Sequence, residues 1–576
     1  MGSRRKPGSR RPRQCIYLNR NGCRKCRTVR VPGAGREPFP VLGPARPRAR
    51  PCCAQTCKPT TSVVPPPVCR EFRGIDRRRI GDDKDCHRAS AALVPRQLEE
   101  YTVHSRPRIV IIGGGISGLT SAHYLHRRLG DGVQVTLVEG GPRLGGKIAT
   151  VPFGGQAVDV GPDALMVRSP VVATLIDDLG LGDLVVEPNA GGARIWSRGK
   201  LRRLPAGTLF GIPDRLLPLL WSGLLSPSGV ARAALDIVLP RRRGPKPADP
   251  TIAELVRPRM GAEVFDRLVD PLLGGVHAGR ADELSAHSTA PDIEGLARTN
   301  RSLYLALGRR RRAAPPKTGG AALVTLRGGL ATLIDALAAR LAGDDIRLGS
   351  PASLVTRTAD GYTVDLADGT SIEADALVLA TSAEVAAGLL GGESPELAAA
   401  LADVPYVDVA TVCLAYPRSA APAELHGTGF LVPPIEDKLV VGCTWSSAKW
   451  PHLANDELVL IRCMVGRRGD NRWLDLDDDA LVDLIHGELV EAMGLTQRPV
   501  ERHIERWPQG MPQYVVGHQA RLDAAATALL ALPGIRLTGS SYRGVGLASC
   551  IVDAERTADS LAALLSGDRP LTEVAS

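Results

Sequence analysis

From residue 108 onward the apolar positions fall into short blocks closed by glycine turns; before it they are scattered. Residues 109–112 form an unbroken apolar run, the pattern of a strand buried on both faces. Gly113-Gly114-Gly115-Ile116-Ser117-Gly118 follows at once, then a helix-like segment, then a second apolar run over 133–138 that stops at Glu139. A short strand pair leads to Gly161-Pro162-Asp163. From about 170 to 315 the pattern is mainly helical and broken by prolines, and Thr251 and Glu254 have the spacing of a capping box. After Arg327-Gly328-Gly329-Leu330 the spacing predicts a helix over 331–341 and strands over 346–348 and 352–356. A hairpin of 362–366 and 371–373 turns at Asp368-Gly369, and an apolar strand over 376–380 ends at Thr381. Residues 402–515 mix strands and helices. The last stretch reads as a strand over 535–538, a glycine-rich turn over 539–546 and a helix over 548–565.

The first block has the parts of a dinucleotide site, each with a physical task. Gly113 allows the tight turn out of the strand, Gly115 lets backbone approach a pyrophosphate, and Gly118 lets the helix pack close to the sheet. The helix N-terminus offers unpaired N–H groups and partial positive charge to phosphates. Glu139, 21 residues after Gly118, can accept from a ribose diol. Arg143-Leu144-Gly145-Gly146-Lys147 then supplies a second glycine pair flanked by cations, able to reach the pyrophosphate from the other side.

The chain has 576 residues, enough for two or more folding units. Its net charge of +11 invites a nucleic-acid partner, but the charge is local. Residues 1–100 hold 24 Lys and Arg against 8 Asp and Glu; the rest holds 48 against 53. The body is mildly acidic, without a footprint for DNA or RNA. The same first hundred residues carry 13 prolines and eight of the twelve cysteines. They read as a disordered basic extension over 1–106, either a regulatory or targeting tail or sequence ahead of the true translation start. No Met lies between Met1 and Met166, so such a start would use another codon, for instance at Val103. Cys23-x-x-Cys26 has the spacing of half a zinc site without a tidy second half, and no metal is expected. Cys413, Cys443, Cys463 and Cys550 are widely spaced in the body, which suits free thiols in a reducing cytoplasm. The longest apolar stretch, 216–225, is too short to span a bilayer. It reads as an ordinary core helix, or as one resting on a membrane surface or at a substrate entrance. Arg241-Arg242-Arg243-Gly244-Pro245, and Arg309 to Arg312 before Pro315-Pro316, read as exposed loops.

Several further motifs carry a resemblance. Arg143-Leu144-Gly145-Gly146-Lys147 resembles the double-glycine signature of FAD-binding flavin oxidases. Pro271-Leu272-Leu273-Gly274-Gly275-Val276-His277-Ala278-Gly279 with Glu283-Leu284-Ser285 resembles the protoporphyrinogen oxidase family of the flavin amine oxidase superfamily. So do Trp507-Pro508-Gln509-Gly510-Met511-Pro512-Gln513-Tyr514 with Gly517-His518, and Gly539-Ser540-Ser541-Tyr542-Arg543-Gly544-Val545-Gly546. Asn189-Ala190-Gly191-Gly192, Leu204-Pro205-Ala206-Gly207 and Gly211-Ile212-Pro213 are closest to its Gram-positive, actinobacterial branch, the coproporphyrinogen III oxidases. The resemblance covers about 107–570. It departs at His277, where Tyr is usual, at Ala548-Ser549, where Pro-Asp is common, and at Ala352, where a Val often meets the adenine. These departures bear on substrate geometry rather than on the cofactor.

The resemblance implies an α/β fold: a Rossmann-like, GR2-type FAD-binding domain assembled from 107–170, 317–400 and 516–570. An α+β substrate domain (171–316 and 401–515) would be inserted into it. It implies FAD held by Gly113, Gly114, Gly115, Ser117, Gly118, Glu139, Gly140, Arg143, Gly145, Gly146, Lys147, Gly161, Pro162, Ala352, Thr381, Gly539, Val545 and Gly546. The reaction implied is oxidation of coproporphyrinogen III to coproporphyrin III with O2 as acceptor and H2O2 as by-product. Hydride would pass to flavin N5, so no compact catalytic constellation is required. His277, His518 and Tyr542 are candidates near the chemistry, since histidine titrates near neutrality; Arg543 falls either by the ring or on the surface. Arg194, Arg202 and Arg203 are candidates for the substrate propionates. The protein is expected in the cytoplasm as a monomer or homodimer, with peripheral contact to a membrane or to a downstream haem-pathway enzyme. Competing readings are a protoporphyrinogen IX oxidase, a flavin amine oxidase or carotenoid desaturase, and a flavin-bound interaction protein without turnover. Aromatic residues, 4% of the chain, are few for an amine oxidase, and the C-terminal turn itself offers only Tyr542.

Overall fold

A computed structural model describes residues 106–205, 207–239, 247–313, 321–422 and 425–567. The basic extension, the Arg241–Arg243 run, Pro315-Pro316 and Ala206 lie outside the described residues.

In chain order, β1 (Arg108–Ile112) turns through the glycines into α1 (Ile116–Leu129) and β2 (Gln134–Val138). A hairpin, β3 (Arg194–Ser197) and β4 (Lys200–Arg203), precedes a helical stretch that includes α2 (Leu216–Ser222), α3 (Asp270–His277) and α4 (Leu303–Ala313). β5 (Asp345–Arg347) and β6 (Ala376–Leu379) follow. Then come β7 (Tyr406–Pro417), β8 (Gly429–Leu431), β9 (Val440–Trp445), β10 (Leu458–Val465) and β11 (Glu501–Pro512). β12 (Ile535–Leu537) and α5 (Leu547–Leu565) close the described chain.

These strands make two main sheets. The first is parallel, in the order β5-β2-β1-β6-β12. It therefore draws on three widely separated stretches of sequence, as expected for a discontinuous Rossmann-like domain. β1 is apolar throughout its core because both faces are covered. Ile109 and Ile111 enter the cluster beneath α1 and α5, whereas Val110 and Ile112 enter the cluster on the other side. Each such buried side chain contributes about 1.5–3 kcal/mol. The second sheet has the order β11-β7-β10-β9-β8-β3-β4 and is antiparallel except for the β8–β3 pair.

Local predictions hold where the signal is local. The capping box is complete, with Thr251 Oγ1 accepting from Glu254 N at 3.1 Å and the Glu254 carboxylate accepting from Thr251 N at 2.9 Å. Arg309 to Arg312, expected in a loop, are instead the last turns of α4. Arginine is a good helix former, and cations favour a helix C-terminus. Arg310 also meets Asp292 at 2.7 Å and Arg311 meets Asp214 at 3.3 Å, which anchors the run. Residues 216–222 form a helix, but one that buries Leu219 and exposes Leu217 (70%) and Trp221 (83%), so it is no ordinary core helix. The four body cysteines are free and buried. Cys443 and Cys463, far apart in sequence, stand opposite each other on β9 and β10.

Candidate cofactor and substrate site

The carboxyl end of β1 is where strand order reverses, between β2 on one side and β6 on the other. Open parallel sheets bind ligands in that crevice. Gly113 carries φ +110°, and a Cβ there would stand 2.8 Å from the Ala380 carbonyl oxygen. A Cβ on Gly118 would run into the Gly113 carbonyl. Both glycines are thus demanded by the protein itself. Gly115 is different: its φ is −76°, and a Cβ would meet no atom nearer than Gly146 Cα at 4.0 Å. Gly546 caps α5 with φ −75° and has open space in front of it. Glycine at these two positions keeps room for something that is not protein.

The second glycine loop abuts the first. Gly145 N donates to Gly114 O at 2.8 Å, and Gly115 and Gly145 form an isolated bridge. Arg143 was expected to bring charge to the pyrophosphate. Its guanidinium instead binds the carbonyls of Leu144, Gly146 and Ile148 at 2.9–3.0 Å, bracing the loop from within. Lys147 is exposed, and desolvation by surrounding protein lowers its amine pKa. Glu139 accepts from Gly114 N and Gly141 N at 2.7 Å each. A carboxylate has about four lone-pair sites, so capacity remains for a ribose. Beside it, a Cβ on Gly140 would stand 3.3 Å from Pro351, the neighbour of Ala352.

The other turns converge on these loops. Gly161 lies against the Lys147 carbonyl so closely that no Cβ fits. Thr381 follows β6 beside Gly113 and Gly539. α5 packs on α1, and the Cys550 thiol donates to the Gly544 carbonyl at 3.6 Å, tying the start of α5 to the C-terminal turn.

The proposed proton carriers prove different from expectation. His277 and His518 are buried, and desolvation pulls both pKa values down to about 4, so neither titrates near neutrality. His277 Nδ1 has no hydrogen-bond partner. Tyr542 is buried in the core under β6, its hydroxyl unpartnered and its pKa raised by burial. Arg543 turns away to Asp553 at 3.1 Å. The three arginine candidates are not all brought together. Arg194 and Arg203 pair across the β3–β4 hairpin, while Arg202, one residue along the strand, lies against Gly223 at the end of α2.

Two groups escaped the sequence reading. Asp163 meets Lys449 at 2.7 Å, Arg462 at 3.4 Å and the Trp450 indole at 3.3 Å, and Arg462 also donates to the Gly161 carbonyl. Burial alone would raise the Asp163 pKa; the Lys449 and Arg462 charges outweigh it and bring it to about 2. The second is at the C-terminal turn, where Tyr406 and Tyr514 join the expected His518 and Tyr542. The signals that could have found them were Asp163 directly after Gly161-Pro162, and Tyr514 within a motif already singled out.

A parallel sheet with glycine loops at its switch point, ligand space kept at Gly115 and Gly546, and a helix N-terminus aimed at each side define a dinucleotide-dependent enzyme. Comparison with known proteins makes the class specific. Residues 116–562 match the family of flavin containing amine oxidoreductases, and the chain belongs to it. It is 34% identical to coproporphyrinogen III oxidase of Bacillus subtilis over 77% of this chain and 96% of that protein. Identity to coproporphyrinogen III oxidase of Propionibacterium freudenreichii is 35%, over 79% and 90%. A crystal structure from Exiguobacterium sp. 255-15 named for protoporphyrinogen oxidase superposes with a TM-score of 0.71 and 30% identity, covering 80% of this chain and 99% of that one. The cofactor is FAD, and the loops described above fit it.

Proposed function

We propose that this chain oxidises coproporphyrinogen III to coproporphyrin III, with FAD as immediate and O2 as final electron acceptor. The observation that carries this reading is the meeting of the glycine turns: Gly115 bridges Gly145, Gly161 packs on the Lys147 carbonyl, and Thr381 stands beside both Gly113 and Gly539. Likeness to two coproporphyrinogen III oxidases along most of their length supports the substrate. Bound FAD supplies a hydride acceptor.

The chain supplies position and electrostatics. Gly113, Gly114, Gly115, Ser117 and Gly118 form the phosphate loop, Glu139 holds the ribose, and Gly145 and Gly146 close the loop from the other side. Lys147, with Gly161 and Pro162, lines the floor beneath. Gly539, Val545 and Gly546 present the α5 N-terminus, whose unpaired N–H groups favour negative charge on a reduced ring. Ala352 lies on the adenine side and Thr381 at the switch point. Arg194 and Arg203 face the propionates. Six electrons and six hydrogens leave the porphyrinogen in three two-electron turns, each of which reduces one O2 to H2O2.

The test is anaerobic mixing of the purified flavoprotein with each porphyrinogen. Coproporphyrinogen III should bleach the flavin band near ~450 nm and yield porphyrin fluorescence after air is admitted. A higher kcat/KM for protoporphyrinogen IX would overturn the substrate and favour the second reading, which the Exiguobacterium structure's name supports. Bleaching by an amine but by neither porphyrinogen would overturn the reaction.

The reading extends to location. The protein acts in the cytoplasm and touches an anionic membrane through α2. Among the described residues no helix is long and apolar enough to cross a membrane. Leu217, Leu220 and Trp221 nevertheless face solvent beside Arg215, the arrangement of an interfacial helix. Co-sedimentation with phosphatidylglycerol vesicles should fall at least tenfold in Trp221→Glu; equal binding of the variant would overturn the contact.

A further inference from the structure

The turn over 539–546 is held almost entirely from outside itself. The Tyr514 hydroxyl donates to Ser540 O at 2.7 Å and accepts from Gly544 N at 2.8 Å. His518 Nε2 donates to Tyr542 O at 3.0 Å, and its ring stacks on Tyr514 with centroids 3.9 Å apart and planes 12° from parallel. Tyr406 Oη accepts from Ala383 N and meets Ser541 Oγ, both at 2.8 Å. Four successive positions of the turn other than Arg543 are therefore pinned by three rings that sit on or after β7 and β11. Tyr514 also has a footing on the substrate side. Ser285 N donates to Tyr514 O at 2.8 Å, and the adjacent Gln513 amide donates to His277 O, the last residue of α3, at 2.7 Å.

We propose that Tyr514, backed by the stacked His518, is a positioning residue that sets the electrochemical poise of the bound flavin. It fixes where Gly544, Val545 and Gly546 present the α5 N-terminus, and it connects that turn to α3. The inference rests on the FAD site described above but not on the identity of the substrate. Removing the hydroxyl leaves a half-buried N–H and a half-buried C=O without that partner, so the turn gains freedom at the place where backbone donors would stabilise the reduced ring. The stack and the apolar packing of the ring survive in Tyr514→Phe.

The experiment is the two-electron midpoint potential of the holoenzyme, measured by dye equilibration without any porphyrinogen. Tyr514→Phe should lose about tenfold in preference for reduced over oxidised FAD, a shift of about 30 mV to more negative potential. His518→Phe keeps the stack, loses only the bond to Tyr542 O, and should shift in the same direction by less; it stands in if Tyr514→Phe does not fold. A role confined to stability would lower the melting temperature and leave the potential and the visible flavin spectrum unchanged, and that result overturns the inference. Failure of the functional reading looks different: the potential would shift as expected while neither porphyrinogen reduces the flavin.

Discussion

The loop over 113–118 and the turn over 539–546 face the same cofactor with opposite kinds of support. The first is braced by its own sheet: Gly113 N donates to Val138 O at 2.8 Å, Ala380 crowds Gly113, and Glu139 takes Gly114 N. The second is braced by Tyr406, Tyr514 and His518, which belong to β7 and to the connection that follows β11. A site built this way separates two properties. Holding the cofactor depends on contacts inside one layer, while tuning it depends on contacts that cross from the other.

Substitutions should expose that division. The largest effect is expected for Gly118→Val, because its side chain would strike the Gly113 carbonyl where α1 meets β1. The purified protein should retain less than about a hundredth of the wild-type flavin, read from its absorbance, and melt at a lower temperature. Gly546→Ala is the counterpart at the other turn: the added methyl meets no protein atom. The apoprotein should melt as the wild type does, while FAD affinity falls roughly tenfold by titration, about 1.4 kcal/mol.

In stability rather than cofactor affinity the large effect is Asp163→Asn, which leaves Lys449 and Arg462 facing each other without their shared anion. Loss of one member of a buried ion group costs about 3–5 kcal/mol, measurable by denaturant unfolding. The pH dependence gives a sharper version. Asp163 is held down to about 2, so its contribution is present above the ordinary carboxylate pKa of about 3.9 and disappears as pH falls toward 2. Asp159 is pushed up to about 6, by desolvation first, against hydrogen bonds from Thr150 and Leu330 N. Its contribution has the opposite sign: it is full below about 3.9 and lost as pH rises to 6. Unfolding free energies at pH 3, 4, 6 and 7 should show Asp159→Asn removing the decline between about pH 4 and 6.

The smallest effect is a flat line. His277 and His518 are both already neutral at pH 6, so kcat/KM should show no inflection near 6.5 that His277→Asn removes. An inflection lost in that variant would show that the ring meets solvent or substrate during turnover.

The contrast between the two turns also explains what could be read from the chain. Gly113, Gly115, Gly118 and Glu139 were legible because strand, loop, helix and strand are contiguous, although only Gly118 answers to its own loop: Gly113 is crowded by Ala380, and Gly115 faces open space. The parallel sheet was legible for the same reason, strand by strand. Arg309 to Arg312 were misread because charge density was taken as a sign of solvent, although Asp292 and Asp214 arrive from elsewhere to meet the side chains. His277 and His518 looked titratable because type gives the ordinary pKa and only burial gives the real one. Asp163, Lys449, Arg462, Tyr406 and Tyr514 depend on partners up to about 300 positions away along the chain, such as Asp163 and Arg462. No periodicity records such pairings.

The parallel sheet carries one more consequence, for the order of events during synthesis. Its β1–β2 half leaves the ribosome early, but β6 receives its outer neighbour only when residues 535–537 have been made, and the first loop meets α5 later still. Until then the nascent chain exposes an apolar sheet edge with half a nucleotide cradle, a state prone to wrong pairing. Binding of FAD by both turns therefore has to wait until residues 535–565 have been made.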